Sequence, residues 1–430
     1  MGCGLASAEA STESWSPPAA LAGNVQSFGY QVKTADTGEA VAAWSAGGGI
    51  FAAAAPPGLP FGPAYRLSSQ SGDELLAVDR EADTAIVWRG TDARGRFDGN
   101  LLMTYRGGGG PFLPGRRILR RVGAVAIGMD AAGDVTLVWQ TRTRTGRTSG
   151  LAAAVRGANG SLGRVQQLVR GSGVWLPVVA VNSRGDAIAA WQSGDSGPNS
   201  AIYAATRRAG HRFGAPFMVV PADVGGLAPN VGIDDRGGAV VAWDGPFDGA
   251  SQGLPFKTVQ VGFVRVGRPG ISRVIGLRRL PRKELYEGVP QPQIAVDRRG
   301  HVAVAWDLEP AIGSGRDLVE VARGEVGKGF STTSTVGRAE LDGPAQLAIS
   351  PSGTVLVGWD DLAGPDQVII ASPNARFGLR HQLSASGRLA TTPALAVNDH
   401  RAVAIWQDLG PTQDQTGPET TPLLFSFGSG

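Results

Sequence analysis

Short apolar runs that end in tryptophan recur along the chain. Representative runs are AVVAW, ending at residue 243, and VAVAW, ending at residue 306. Eight such tryptophans occur, 44 to 63 residues apart: Trp44, Trp88, Trp139, Trp191, Trp243, Trp306, Trp359 and Trp406. Self-similarity at this period predicts a repeat fold. Two further tryptophans, Trp15 and Trp175, lie outside the series.

A turn and a second apolar segment precede each run. In DDRGGAVVAW, which begins at Asp234, the pattern is strand, then Asp-x-x-Gly, then strand. An Asp, Asn or Ser side chain can open such a turn, and Gly supplies the positive φ that returns the chain. Each pair is therefore predicted to be a β-hairpin, with strands A and B.

In every unit except the last, two more segments follow the tryptophan and complete a four-stranded unit. Examples are IYAATRR, from Ile202 to Arg208, and FGAPFMVV, from Phe213 to Val220. Eight such units predict an all-β fold, an eight-bladed β-propeller of four-stranded antiparallel blades. The last unit lacks a D strand, so we expect Ser16 to Leu21 to complete it beside Leu423 to Phe427, which would remove two exposed edges.

The repeats divide the chain into two parts. Residues 15–430 are expected to form one propeller domain with eight repeats, and residues 1–14 a flexible tether. The tether reads MGCGLASAEASTES. It resembles the mature start of a bacterial lipoprotein, whose N-terminal cysteine carries the lipid, although the apolar segment that should precede that cysteine is missing. The resemblance implies lipidation of Cys3 and a secreted or envelope location; the alternative is an ordinary flexible tail.

Composition narrows the possible partners. The formal net charge is +3 and no polybasic run occurs, which argues against nucleic-acid binding. A single cysteine excludes an intrachain disulfide and a multi-cysteine metal site. No apolar run is long enough to span a membrane, so membrane contact is expected only through a lipid at Cys3. We expect no cofactor and a monomer.

Short motifs within the repeats resemble those of known propellers. Trp-Asp pairs at Trp243, Trp306 and Trp359 resemble WD40 repeats, without the Gly-His partner, and TADTGEAVAAW, from Thr34, distantly resembles the sialidase Asp-box. The pattern is most similar to bacterial secreted propellers with Asp-x-x-Gly-x-Ala-x-x-x-Trp repeats. This resemblance covers nearly the whole chain and implies a fold but no specific activity.

Polar residues follow the tryptophans directly and are expected at the face with the longer loops. The candidate ligand-binding set is Gln140, Gln192, Asp244, Asp307, Asp360 and Gln407, with Ser45 and Arg89 at the same repeat position. They could form a ring that binds a sugar, peptide or cation. The alternative is solvent-exposed strand ends that the repeats share by duplication.

The longest unit carries two expanded loops on that face, from Asp244 to Phe256 and from Arg278 to Pro292. Long loops on a rigid scaffold often carry binding residues. Arg282 is a candidate ligand for an anionic group. Tyr286 and Glu287 form the only adjacent Tyr-Glu pair, which a glycan-cleaving enzyme of the sialidase type would need.

Other catalytic signatures are weak. GDSGP, from Gly194 to Pro198, resembles a serine-protease motif but lacks one glycine and falls in a predicted loop. The four histidines fall in different units, which argues against a zinc site or a catalytic triad.

Three functional hypotheses follow. We favour a non-enzymatic propeller that binds a protein partner or a glycan on its loop-rich face. The alternatives are a sialidase-like or other glycan-cleaving enzyme and a purely structural scaffold. A central channel with clustered arginines, a tyrosine and two carboxylates would favour the enzyme, and a channel lined by Val, Ala and Gly would argue against it.

Overall fold

A computed structural model describes residues 15–428, except 26, 93, 195–199, 223–224, 246–257, 279–290, 309–316, 332, 340–342, 362–366, 372–376, 378 and 412–420. Within these residues, 34 β-strands form eight antiparallel sheets.

The strands of the first four sheets follow one another along the chain. Sheet 1 contains Ser27–Thr34, Ala40–Ala46, Gly49–Ala55 and Tyr65–Ser68. Sheet 2 contains Glu74–Val78, Thr84–Thr91, Phe97–Arg106 and Arg116–Arg120. Sheet 3 contains Val122–Met129, Val135–Arg142, Thr148–Arg156 and Gln166–Arg170. Sheet 4 contains Val174–Val181, Ala187–Ser193, Ala201–Arg207 and Phe217–Val220.

The other four sheets are less regular. Sheet 5 contains Leu227–Ile233, Gly238–Gly245, Thr258–Arg265 and Arg268–Gly276. Sheet 6 contains Gln293–Val296, His301–Leu308, Asp317–Glu325, Gly329–Phe330 and Ser334–Ala339. Sheet 7 contains Gln346–Ile349, Val355–Trp359, Gln367–Ala371 and Leu379–Gln382. Sheet 8 contains Arg388–Ala390, Ala394–Val397, Ala402–Pro411, Thr421–Gly428 and Ala19–Val25.

The sheets follow one another around a central axis, as in a β-propeller. The first long strand of each sheet, strand A, contacts strand A of the next sheet, and that of sheet 8 contacts that of sheet 1. Strands A and B meet at one end of the propeller, here called the turn face. The connections from B to C and from D to the next A lie at the other end, the loop face.

The repeated tryptophans form the core between the sheets. Each of the eight is at most 3 % exposed. In sheet 6, Val302, Val304 and Trp306 pack against sheet 5, and Ala303 and Ala305 pack against sheet 7. Strand B is therefore buried on both faces, which explains the absence of charged residues from the four positions directly before each tryptophan.

The predicted turns are confirmed. The Asp234 Oδ1 atom accepts hydrogen bonds from the backbone N–H groups of Arg236, at 2.8 Å, and Gly238, at 2.7 Å. Gly237 has a φ of 76°, which favours glycine. The turns also bind one another, because Asn182 Nδ2 donates to the Asp234 carbonyl at 2.9 Å.

The predicted fold class needs correction in two respects. The sheets are not uniformly four-stranded, because sheets 6 and 8 each have five strands in the described residues. The N-terminal strand that pairs with Thr421–Gly428 is Ala19–Val25, not Ser16 to Leu21, and its register is irregular at Ala22. The cause is the Pro17-Pro18 pair, because proline has no N–H group to donate to a ladder.

Strand A is tightly packed near the axis. The second residue before each turn is Lys33, Ala77, Gly128, Ala180, Gly232, Ala295, Ala348 or Ala396. A Cβ atom added at Gly232 would lie 2.3 Å from Val296 Cγ2 in the next sheet. Lys33 is the exception in this row: it keeps contact with solvent, but the protein atoms around its amino group partly desolvate it and lower its pKa.

Candidate functional site

The predicted polar ring lies at the loop-face end of strand B, but most of it is buried. Gln140, Gln192 and Asp244 are each 4 % exposed, Asp360 is 1 % exposed and Gln407 is 7 % exposed. Asp307 is half-buried. Solvent exposure therefore does not explain these polar side chains. No observation here tests whether they bind a ligand, so that role stays a prediction.

Several of these side chains hold neighbouring strands together. Gln140 donates from Nε2 to the Val174 carbonyl of sheet 4 and accepts at Oε1 from the Ala124 backbone N–H, at 3.0 Å. Asp360 Oδ1 accepts from Thr392 Oγ1 at 3.0 Å, which joins sheet 7 to the strand-A segment of sheet 8. Ser45 Oγ accepts from the Gly72 backbone N–H, at 3.1 Å.

The remaining sequence candidates cannot be placed. Arg282, Tyr286, Glu287 and Cys3 all lie outside the described residues, as do the tether at residues 1–14 and most of both expanded loops.

The loop face carries a cluster of arginines that the repeat analysis missed. Arg120 and Arg121 end strand D of sheet 2 and lead into sheet 3. The others lie on the loop-face ends of sheet 3: Arg142, Arg144, Arg147 and Arg170. These six residues are here called the arginine cluster. Five are exposed and Arg142 is half-buried, and none forms an ion pair with another described residue.

A backbone hydrogen bond joins two members of the cluster. The Arg142 backbone N–H donates to the Arg121 carbonyl at 2.8 Å. A Cβ atom added at Gly123 would lie 3.0 Å from Arg142 Nε, which is buried without a hydrogen-bond partner, and 2.6 Å from Gln140 Oε1. The cluster therefore lies directly beside Gln140, one of the predicted site residues.

Nearby acids do not neutralise the cluster. Asp92 forms its ion pair with Arg96 at 3.0 Å. The carboxylate of Asp98 accepts hydrogen bonds from the backbone and side chain of Asn100. The six arginines of the cluster thus carry a concentrated positive charge, although the formal net charge of the whole chain is only +3.

An exposed aromatic side chain lies next to the cluster. Trp175, near the start of strand A in sheet 4, is 40 % exposed. Its Nε1–H donates to the Gly194 carbonyl at 3.1 Å, which fixes the ring. The next residue, Leu176, is 54 % exposed and has a φ of 45°, a conformation that Ala228 shares, with a φ of 46°, at the equivalent bulge of sheet 5.

The Gln140 side chain connects these features. It binds the carbonyl of Val174, the residue before Trp175, and it lies beside Gly123 and Arg142. An unpaired cationic surface and a fixed aromatic ring are therefore neighbours on one face. The sequence could have indicated this surface through the arginine-rich segments RILRR and RTRTGR and through Trp175, which lies outside the repeat series.

A buried carboxyl group lies elsewhere on the same face. Glu74, at the start of strand A in sheet 2, is 5 % exposed, and its Oε1 lies beside Gly29 of sheet 1. Burial raises the pKa of Glu74 to about 8, and the adjacent Asp73 charge adds to the rise. This carboxyl group is therefore largely protonated at neutral pH and can donate a proton.

The described strands nearest the axis lack the cluster expected of a sialidase. They contain no arginine, and valine, alanine and glycine predominate on them. Nor do the described residues hold a group of three or more His, Cys, Asp or Glu side chains suitable for a metal ion. No helix among them is long and apolar enough to cross a membrane.

Comparison with known proteins identifies similar architectures but no family. No family model and no curated protein matches this chain. An ulvan lyase solved with -[GlcA(1-4)Rha3S]- superposes with a TM-score of 0.52 and 11 % identity, over 86 % of this chain and 96 % of that one. Polysaccharide lyase Uly1 gives 0.51 and 8 %, over 83 % and 90 %.

A third solved structure is a puromycin hydrolase, with a TM-score of 0.50 and 15 % identity. The match covers 93 % of this chain but 60 % of the hydrolase. At these identities the similarities show the fold alone. This chain has the β-propeller architecture found in several enzymes, including two polysaccharide lyases.

Proposed function

We propose that this protein recognises an acidic polysaccharide on the loop face, at the arginine cluster and Trp175. The observation that carries the proposal is a set of six arginines that form no ion pair with the described residues, beside an exposed, hydrogen-bonded tryptophan. We further propose that the protein is secreted or held at the cell envelope, where such polymers occur.

Arginine suits anionic sugars for a physical reason. Its planar guanidinium group donates two parallel hydrogen bonds to a carboxylate or sulfate. Several such groups on one surface also attract a polyanion at long range, and this attraction weakens with salt. Arg120 and Arg121 lie where sheet 2 leads into sheet 3, and Arg144 and Arg147 lie in a loop of sheet 3, so they could bind successive residues of one polymer.

Trp175 supplies the apolar part of sugar recognition. One face of a pyranose ring consists of C–H groups, which pack well on an aromatic plane. The bond from Nε1–H to Gly194 satisfies the polar edge of the indole and leaves the ring fixed, so little conformational entropy is lost on binding.

The structural comparison supports a glycan-related function. Two of the similar propellers are polysaccharide lyases, and one was solved with a chain containing glucuronate and sulfated rhamnose. The similarity is one of fold. It makes acidic glycans a reasonable class of ligand to test, but it assigns no role to any residue of this chain.

The test is binding of the purified protein to acidic and neutral polysaccharides. We expect binding to polyglucuronate or a sulfated uronate polymer, little binding to dextran, and weakening with added salt. The double variant Arg144→Glu/Arg147→Glu should lower the affinity at least about tenfold, because it reverses two exposed charges.

The matched control is Arg116→Glu/Arg117→Glu. These two arginines are also exposed, but they begin strand D of sheet 2, at the end away from the loop face. The control makes the same change in net charge, so equal weakening by both variants would mean attraction to overall charge and would overturn the site.

Cleavage of the polysaccharide is a second candidate, favoured by Glu74. A carboxyl group that keeps its proton near neutral pH can act as a general acid. Glu74 is deeply buried, so cleavage would require the loop face to open between sheets 1 and 2.

The enzyme hypothesis is tested by incubating the protein with the polymers that it binds and measuring new reducing ends and absorbance at the wavelength of unsaturated uronates. Cleavage that Glu74→Gln abolishes while binding persists would establish it. Binding without new chain ends would leave recognition as the function and reject cleavage.

A further inference from the structure

A second pocket lies on the turn face, between sheets 3 and 4. Its volume is about 410 Å³, and its charged or titratable lining consists of Asp130, Asp134, Arg164, Arg207, His211 and Arg212. Arg164, His211 and Arg212 are exposed at its edge, whereas Arg207 is 5 % exposed. The pocket lies on the face opposite the arginine cluster.

Arg207 is a buried cation with an incomplete set of partners. Its Nη2 donates to Thr136 Oγ1 at 3.0 Å and to the Gly185 carbonyl at 2.8 Å. Its Nε has no partner, and the guanidinium forms no ion pair with the described residues. Burial lowers the pKa of Arg207, although the charges of Asp130, Asp134 and Asp186 oppose this shift.

The equivalent arginine two sheets earlier has the partner that Arg207 lacks. Arg106 occupies the same ladder position in sheet 2, opposite Thr84, as Arg207 does in sheet 4, opposite Ala187. Arg106 is also buried, and it forms an ion pair with Glu39 of the preceding sheet. There a carboxylate of the protein itself satisfies the buried guanidinium group.

A difference of one methylene separates the two sites. Glu39 and Asp134 both lie five residues before the tryptophan of their own sheet. Asp134 is shorter, and its Oδ1 accepts from the Ala158 backbone N–H within its own sheet, at 2.9 Å. Asp134 therefore does not reach Arg207, and the pocket occupies the space between the two sheets.

The pocket also offers a hydrogen-bond acceptor. Asp130 Oδ1 accepts from the backbone N–H groups of Ala132 and Asp134, both at 3.0 Å. Its Oδ2 makes no hydrogen bond to the described residues and lies beside Gly185, on the pocket lining. A ligand hydroxyl could donate to this oxygen.

We propose that this pocket binds a small hydroxycarboxylate, such as a sugar acid. The ligand carboxylate would bind Arg207 as the Glu39 carboxylate binds Arg106, with Arg164 and Arg212 at the edge, and a ligand hydroxyl would bind Asp130. Sulfate suits the site less, because it carries no hydrogen that it could donate to Asp130. A neutral sugar lacks the group that Arg207 needs. The proposal does not depend on the loop-face function.

The experiment is calorimetric titration of the full chain with gluconate and glucuronate, alongside sulfate and glucose. We expect saturable binding of the sugar acids with a dissociation constant below about 5 mM, and at least tenfold weaker binding of sulfate and glucose. Sulfate binding as tight as gluconate, or no gluconate binding at 5 mM, would overturn the proposal.

The decisive variant is Asp134→Glu, which gives Arg207 the partner that Arg106 has. We expect it to fold with unchanged or higher thermal stability and to lose at least nine-tenths of the gluconate affinity. The control Asp83→Glu makes the same change one sheet earlier and should keep the affinity. Undiminished affinity in Asp134→Glu, or equal loss in both variants, would contradict the assignment.

Two further variants complete the design. Arg207→Met removes the cation and should also abolish binding; if it fails to fold, Asp134→Glu still decides. Arg144→Glu/Arg147→Glu changes only the loop face, so it should bind gluconate like the wild type even where polysaccharide binding is lost.

Discussion

The two ends of strand B differ in how they use polar residues. At the turn face, Asp234, Asp297 and Asn182 each accept hydrogen bonds from two backbone N–H groups of their own turn. At the loop face, Ser45, Gln140 and Asp360 each bind a different kind of group in the next sheet. The turn-face end is uniform, and the loop-face end varies from sheet to sheet.

The difference separates fold from function. Each sheet needs a turn that reverses the chain between strands A and B, and this requirement allows little variation in sequence. The repeat pattern is therefore clearest at the turn face. The loop-face end has to position connections of unequal length, and this variation leaves room for the arginine cluster and Trp175. Substitutions at the turn face should change stability, and substitutions of exposed loop-face residues should change binding.

The largest effect on stability is expected at Trp306, which lies on strand B between its turn-face and loop-face ends. The substitution Trp306→Ala should lower the free energy of unfolding by about 3–5 kcal/mol, because it leaves a cavity between sheets 5 and 6 and removes one of the hydrogen-bond donors to Glu320. Denaturant unfolding measures the loss. Trp306→Phe should cost less, and a loss below about 1 kcal/mol in the alanine variant would contradict its core position.

The pH dependence of stability should come partly from Glu74. Its pKa lies near 8 in the folded protein, above its usual 4.5, so the stability present below pH 4.5 is lost as pH rises toward 8. Glu74→Gln stays neutral and should be more stable than the wild type at pH 8 by roughly 2–4 kcal/mol, but not at pH 4.

The control for Glu74 is Asp73→Asn, which removes the adjacent exposed carboxylate and should keep most of the pH dependence. Thermal unfolding at several pH values distinguishes the two variants. A gap between Glu74→Gln and the wild type that is constant with pH would show that proton binding at Glu74 is not its cause.

A smaller loss of stability is expected at the turn face. Asp234→Ala should cost about 1–3 kcal/mol, because two backbone N–H groups, that of Gly238 being buried, lose their acceptor. Asp234→Asn keeps one acceptor oxygen and should recover most of the loss. Neither variant should change polysaccharide affinity in the folded protein, and a loss of binding at full folding would weaken the division between the two faces.

The smallest effect on stability is expected in the arginine cluster. Arg144→Glu/Arg147→Glu should change the free energy of unfolding by less than about 0.5 kcal/mol, because both side chains are exposed and form no ion pair with the part of the chain that the structure describes. Chemical denaturation beside the binding assay tests this. A large destabilisation would mean that the cluster supports the fold.

The sequence predicted the part of the molecule that repeats. The tryptophans, the Asp-x-x-Gly turns and the alternation around Trp306 follow from local chemistry that each unit satisfies in the same way. Where local chemistry changes, the prediction was less accurate: Pro17 and Pro18 delay the N-terminal strand, and sheets 6 and 8 each carry an additional strand.

Site residues were harder to predict because a site here depends on departures from the repeat. The polar residues after the tryptophans looked like a ligand ring, yet Gln140 and Asp360 are buried between sheets. The Arg207 pocket exists because Asp134 is one methylene shorter than Glu39. A comparison of charged residues across the aligned repeats could have indicated this pocket. The separation of Asp134 from Arg207, however, could be seen only in the structure.

The row of small residues nearest the axis sets the size of the ring. Gly128 and Gly232 have no room for a Cβ atom, since it would meet Val181 at 2.7 Å and Val296 at 2.3 Å. A larger residue would act as a wedge between adjacent sheets at their innermost point. Because the strand-A contacts return to their start, the displacement cannot be relieved at a free end and must spread around the whole circumference. The curvature of the ring of sheets therefore depends on strand-A positions, such as Gly128 and Gly232, that carry no side chain.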